Sequence, residues 1–240
     1  MRFFPYNPFA STNTIKGLCV SYLDAIEKQT SDKPDASVIW LHGLGASGHD
    51  FEPVIPELQL PASAAVRFIF PHAPVLPVTI NGGMRMPAWY DIKALELDRS
   101  IDEAQLLASA DEIGKLIERE IEGGVDSRRI IIAGFSQGGA VAYQVGLSYP
   151  RPLGGLLAMS TYFATENSVK PSEANRSIPI RIYHGLHDPM VPESLGRKSQ
   201  MALQDLDYEP EYKTYPMDHS VCLEEIQDIG EFIRTHLKLQ

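Results

Sequence analysis

Residues 130–143 read Ile-Ile-Ile-Ala-Gly-Phe-Ser-Gln-Gly-Gly-Ala-Val-Ala-Tyr, and the reading of this stretch decides the fold. Residues 130–133 are apolar and β-branched for the most part, as expected of a strand buried on both faces. Gly134-Phe135-Ser136-Gln137-Gly138 follows in the G-x-S-x-G pattern, and helix-forming apolar residues come directly after it. The spacing has a steric reason. A serine on a sharp strand-to-helix turn takes a strained backbone conformation, and side chains two residues to either side would collide, so both are glycine. The turn lifts the Ser136 hydroxyl above the sheet. It also places the Gln137 N–H at a helix N-terminus, where it can stabilise an oxyanion. A bare G-x-S-x-G is short enough for chance to supply, so the rest of the chain must provide the partners.

A chain of 240 residues suits one domain. The net charge of −10 comes with no basic run longer than Arg128-Arg129. That balance speaks against nucleic acid and against an anionic membrane surface as partners. The two cysteines, Cys19 and Cys222, lie far apart without metal-ligand spacing and read as reduced thiols. Pro5 and Pro8 interrupt the apolar N-terminus, which lacks the continuous core of a signal peptide. No run is long and apolar enough for a membrane span or anchor. The expected setting is cytoplasmic.

From about residue 37 strand and helix signals alternate. Strands are expected over 37–42, 66–70, 130–133, 155–160, 178–183 and 212–215. Ser100-x-x-Glu103 reads as a capping box opening a helix, with Leu106, Ala110, Ile113, Ile117 and Ile121 as its apolar stripe. Gly123-Gly124 closes that helix. Further helices follow Ser136, span 193–205, and carry Cys222, Ile226, Ile229, Ile233 and Leu237 on one face. This alternation implies a mostly parallel sheet with helices on both faces. Residues 71–91 hold four prolines and Gly82-Gly83 without periodicity, and read as a functional loop or a surface crossing anchored by Trp89 and Tyr90.

Serine-centred sites on such sheets place acid and base later in the chain. Asp188 follows the 178–183 strand, at the sheet end where ligands meet an open α/β fold. Asp205 and Asp207 lie late in or after a helix and are expected to face solvent. Asp218 adjoins His219 in sequence, and adjacent loop side chains diverge. Asp188 is therefore the expected acid. His219 falls between the last strand and the last helix and is the expected base. His236 lies near a helix end, His184 and His187 precede the acid, and His49 and His72 have no assigned role. His184-x-x-His187-Asp188 resembles ligand spacing superficially, but a strand end and loop do not align two imidazoles as a helix does. No metal and no cofactor are expected. A second oxyanion donor is expected from His42-Gly43-Leu44-Gly45, where the glycines allow close approach and Leu44 N–H is the natural donor.

The stretches Trp40-Leu41-His42-Gly43-Leu44-Gly45, Gly134-Phe135-Ser136-Gln137-Gly138-Gly139, His184-Gly185-Leu186-His187-Asp188-Pro189-Met190-Val191-Pro192 and His219-Ser220-Val221 together resemble a family. It is the carboxylesterase, lysophospholipase and acyl-protein thioesterase family of α/β-hydrolases, in its bacterial carboxylesterase branch. Pro71-His72-Ala73-Pro74 and Trp89-Tyr90-Asp91 fit it too. The resemblance covers residues of about 23–237 and implies an α/β-hydrolase fold without a large cap domain. It implies Ser136, Asp188 and His219 as triad, Leu44 and Gln137 as oxyanion donors, and a homodimer. Residues 1–20 have no counterpart and read as an N-terminal extension ahead of a single domain over 21–240. Asp218 stands where many members carry glycine. The expected activity is hydrolysis of small or medium acyl esters through an acyl-enzyme. The alternatives are an acyl-protein thioesterase or lysophospholipase taking long chains, and a catalytically inactive binding module. A long-chain enzyme needs an apolar channel, for which Val75, Leu76, Val78, Ile80 and Met86 are available. Leu76, Met86 and Trp89 are the substrate-binding candidates.

Overall fold

The structure, a computed structural model, describes residues 21–95 and 99–239, together with the backbone of two short strands before them. Those strands, β1 (Thr14–Ile15) and β2 (Leu18–Cys19), pair antiparallel. The expected N-terminal extension otherwise lies outside the described residues. The central sheet contains β3 (Ala25–Gln29), β4 (Ala36–Leu41), β5 (Val66–Pro71), β10 (Ile130–Phe135), β11 (Gly155–Met159), β12 (Ile180–Gly185) and β13 (Glu211–Tyr215). Between β5 and β10 run two ribbons, β6 (Val75–Val78) with β7 (Met84–Pro87) and β8 (Ile92–Ala94) with β9 (Ser100–Ile101). The sheet order is β13-β12-β11-β10-β4-β5-β3, parallel throughout except for β3 against β5.

The helices are α1 (Glu103–Glu122), α2 (Gln137–Ser148), α3 (Glu193–Asp205) and α4 (Leu223–His236). Alternation along the inner strands divides the core in two. Ile39 and Leu41 of β4 and Ile130 and Ile132 of β10 pack with Leu106, Ile113 and Ile117 of α1 and Val141 of α2. Val38, Trp40, Ile131 and Ala133 face the other way, onto Ile226, Ile229, Phe232 and Ile233 of α4. Each buried Val, Leu, Ile or Phe side chain among them contributes about 1.5–3 kcal/mol by leaving water. Residues 137–147 of α2 are all buried, which explains a helix with no charged residue.

Three expectations change. α1 is capped by Asp102, whose side chain accepts from Gln105 N, while Ser100 pairs with Ala94 in the β8–β9 ribbon. Residues 71–91 are not structureless, because β6 and β7 form a hairpin whose turn uses Gly82 and Gly83 at φ of 67° and 79°. Its prolines suggested a loop, yet an exposed two-stranded ribbon tolerates proline where no ladder N–H is needed. The edge strand β3 was not foreseen, since its half-exposed Ala-Ile-Glu-Lys-Gln gives no strong alternation.

The chain order places the site. β4 leads to β5 on one side, and the next sheet strand, β10, lies on the other side of β4. This reversal makes the carboxyl ends of β4 and β10 the topological switch point, where open α/β sheets bind ligands. Leu44 follows β4 and Ser136 follows β10 directly.

Two buried glutamates show contrasting electrostatics. Glu120 accepts from Ser37 Oγ at 2.6 Å and from Arg67 at 3.2 Å, so its charge is matched. Neither oxygen of Glu225 meets hydrogen-bond geometry with a partner. Burial raises its pKa to about 8, against a weaker opposing pull from the Cys222 amide. The unfolded chain releases this proton near 4.5 and the folded chain near 8, so stability falls as pH rises through that window. The loss is at most about 1.4 kcal/mol per pH unit. Glu225→Gln is expected to melt progressively higher than the parent chain as pH rises from 5 to 8. Thermal melts that stay parallel across that range would contradict the neutral buried carboxyl.

Candidate active site

Ser136 has φ 53° and ψ −121°, a conformation costly for any residue with a Cβ. Close packing around it requires glycine. A Cβ on Gly134 would meet the Gly138 carbonyl oxygen at 2.3 Å, and one on Gly138 would meet the Leu41 and His42 carbonyl oxygens at 2.6 Å. The Ser136 N–H donates to Met159 O at 2.9 Å, and its carbonyl accepts from Thr161 Oγ1 at 2.6 Å. The backbone is thus held from both sides.

His219 lies in the loop after β13 and Asp188 in the turn after β12. His219 Nε2 is 2.9 Å from Ser136 Oγ, and Nδ1 is 2.7 Å from Asp188 Oδ2. An ionised carboxylate only accepts, so Nδ1 carries the proton and Nε2 presents its lone pair to the serine hydroxyl. Asp188 Oδ1 accepts from the Met190 and Val191 amides at 2.9 and 2.8 Å. Burial alone would raise the Asp188 pKa, but the bonds from His219 and these amides outweigh it and hold the carboxyl below its ordinary value. His184 is fully buried behind the acid, and its Nε2 donates to Val191 O at 2.8 Å, bracing the same turn. Burial lowers the His184 pKa, so it stays neutral. His187 is exposed, as are Asp205 and Asp207. Asp218 is exposed too, and its carboxylate accepts from Ser220 Oγ at 2.7 Å.

Gln137 is the first residue of α2, so its amide has no acceptor within its own helix. Leu44 lies across the same switch point. The supports of this pair were not legible in the sequence. The Gln137 side chain is buried, accepting from Trp89 N at 2.8 Å and donating to Tyr90 O at 2.7 Å. Trp89 Nε1 donates to His42 O at 2.8 Å. His42 lies 2.7 Å from Gly43 O through Nδ1 and accepts from Ala73 N through Nε2 at 3.1 Å, which sets its tautomer. Burial lowers its pKa in keeping with a neutral ring. Gly45 N donates to Pro87 O at 2.8 Å, tying β7 to this loop.

A cleft of about 620 Å³ opens over Ser136, Gln137 and His219. Its walls are mostly apolar, formed by Leu44, Phe51, Ile80, Met86, Ile92, Leu95, Phe135, Tyr162, Met190, Val191 and Val221. Of the substrate-binding candidates, only Met86 lines it. Leu76 instead faces a separate groove with Leu23 and Pro74. Trp89 is fully buried, its indole spent on the His42 carbonyl. Ile80 joins Met86 in the cleft, whereas Val75 is exposed and Val78 is buried in the body. Phe51, Tyr162 and Val221 reach the cleft from distant loops, and no local pattern marks them.

The profile of the phospholipase/carboxylesterase family matches residues 24–237. The chain belongs to this family. It is similar to acyl-protein thioesterase 1 of Gibberella zeae, 39% identical over 213 residues, covering 84% of this chain and 91% of the relative. Acyl-protein thioesterase 1 of Mycosarcoma maydis is 39% identical over 234 residues, covering 90% of this chain and 97% of that one. Among solved structures, SOBER1 of Arabidopsis thaliana superposes with a TM-score of 0.79 at 30% identity, covering 84% of this chain and 99% of that one. The fold is the α/β-hydrolase fold, and the chain is a carboxylic ester or thioester hydrolase of the phospholipase/carboxylesterase family.

Trp89→Phe leaves the buried His42 carbonyl without its donor, a loss of about 1–3 kcal/mol. It is expected to lower kcat about tenfold while leaving acyl-length preference unchanged, whereas Met86→Ala shifts that preference. Steady-state kinetics on a graded acyl series checks both. A changed preference in Trp89→Phe with kcat intact would place the indole against substrate.

Proposed function

We propose that Ser136, His219 and Asp188 act as nucleophile, base and acid in two-step acyl transfer from carboxylic esters and thioesters to water. The observation that carries this reading is the continuous hydrogen-bond chain of 2.9 and 2.7 Å from Ser136 Oγ through His219 to Asp188. His219 Nε2 takes the hydroxyl proton as Oγ attacks the carbonyl carbon. Asp188 keeps the imidazole in the useful tautomer and stabilises its cation. The oxyanion forms opposite the Leu44 and Gln137 amides, each contributing on the order of 3 kcal/mol in the transition state. The leaving alcohol or thiol receives the proton from His219. Water then enters by the same base and releases the acid.

The substrate is an acyl ester or thioester, and the cleft favours a sizeable acyl group. Roughly 620 Å³ with largely apolar walls exceeds what an acetyl group fills. Relatives named acyl-protein thioesterase, 39% identical over most of both chains, support the same direction. Medium and long acyl thioesters are therefore preferred over short esters, which remain compatible with the same chemistry. No helix among the described residues is long and apolar enough to cross a membrane. A cytoplasmic setting rests on the sparse cysteines, and a homodimer on the family resemblance.

Ser136→Ala is expected to lose on the order of 10⁴–10⁶ in kcat on every substrate. In the parent chain, kcat/KM is expected to rise from acetyl to longer acyl thioesters. Turnover by Ser136→Ala close to that of the parent chain would overturn the assignment. A maximum at acetyl would return the short-ester reading to first place.

A further inference from the structure

The catalytic cleft contains one feature that neutral ester hydrolysis does not use. Arg99, the residue directly before β9, is half-buried and lines the cleft together with Leu95 and Tyr162. Its guanidinium lies over the Tyr162 ring, 4.9 Å from the centroid, and one terminal nitrogen donates to Met190 O. The Nε is buried without a hydrogen-bond partner. No described residue places a carboxylate within ion-pair distance of Arg99.

This arrangement is costly unless something completes it. Guanidinium stays charged at any working pH and offers five donors in a fixed fork. Removing it partly from water without an anion forfeits hydration that a ring face and one carbonyl only partly replace. A second cationic side chain nearby is already matched. Lys198, in a neighbouring cavity of about 470 Å³ that shares Arg99 and Tyr162, pairs with Glu166 at 2.8 Å. The acid that lines the cleft, Asp50, is exposed at its rim and accepts from Ser47 N and Oγ at 3.3 Å. The cleft therefore runs from the Ser136 hydroxyl along apolar walls to a guanidinium that no carboxylate among the described residues pairs, in a chain whose net charge is −10. A net negative charge gives anions no general attraction to the protein, so binding of an anion in the cleft requires local chemistry.

We propose that Arg99 forms an anion-binding subsite of the cleft, so that preferred substrates carry a carboxylate or phosphate an apolar span away from the scissile carbonyl. The proposal rests on the acyl-transfer reading, and it makes Arg99 a specificity-determining residue. Carboxylate and phosphate share the planar or forked acceptor geometry that a guanidinium meets with two parallel bonds. The carboxylate would end the acyl chain, and the phosphate would belong to the alcohol.

Two matched pairs test it: a nitrophenyl hexanoate against the nitrophenyl monoester of hexanedioic acid, and monohexanoyl glycerol against its phosphate. The readout is the ratio of kcat/KM for the anionic member over the neutral member. In Arg99→Gln this ratio is expected to fall about 10- to 100-fold in at least one pair, with Arg99→Lys intermediate. Loss in the first pair assigns the anion to the acyl group, and loss in the second assigns it to the alcohol. A ratio unchanged in both pairs overturns the proposal, because Arg99 would then act only by bracing the Met190 turn beside Asp188. Should the variants fail to fold, the parent chain decides. Added sodium chloride is expected to lower the ratio in the preferred pair, and a salt-independent ratio in both pairs overturns the proposal. Turnover of the neutral esters by the parent chain, lost in Ser136→Ala, tests the acyl-transfer reading separately.

Discussion

The start of α2 approaches the end of β4 so closely that a methyl group on Gly138 would meet the Leu41 and His42 carbonyl oxygens at 2.6 Å. The rest of the site depends on that approach. It brings the first amide of α2 beside the loop after β4, so the two proposed oxyanion donors come from strands that are neighbours in the sheet but almost a hundred residues apart in the chain. It also forces Ser136 into a left-handed conformation, which aims the hydroxyl away from the sheet and toward His219. A strained turn of this kind persists only where its surroundings over-determine it. Here they do, through Met159 O, Thr161 Oγ1 and a helix buried along residues 137–147.

Around this turn the protein uses buried side chains as struts. Gln137 holds the backbone of Trp89 and Tyr90, Trp89 holds the His42 carbonyl, and His42 holds Ala73. Ala73 at one end of the β6–β7 hairpin segment and Trp89-Tyr90 at the other are thereby fixed to the elbow. On the opposite wall, His184 and Asp188 share the turn through Val191, which accepts from one and donates to the other. Preorganisation of this sort is what makes amide donors effective, because no reorganisation remains to be done when charge develops.

Much of this was legible in the sequence because the constraints were local or ordered. The glycines around Ser136 report a steric clash that depends only on neighbours, and Asp188 and His219 follow from strand ends in chain order. The parallel sheet follows from alternation of buried strands and helices. What escaped reading depended on contacts across the fold. Leu76 looks like a channel residue in a Pro-rich stretch, yet the β6–β7 hairpin places it on a separate groove, whereas Trp89 is buried as the anchor that the crossing reading expects. Asp102 displaced Ser100 as the cap of α1 because Ser100 was already committed to a ladder with Ala94. The cleft walls contributed by Phe51, Tyr162 and Val221 come together only after folding.

The central claim is that Ser136 is the acyl-accepting nucleophile, activated through His219. Intact-protein mass spectrometry after exposure to a fluorophosphonate tests it most directly. The account predicts a single adduct that maps to Ser136 and forms far more slowly in His219→Ala. An adduct elsewhere, or equal labelling without His219, would contradict it.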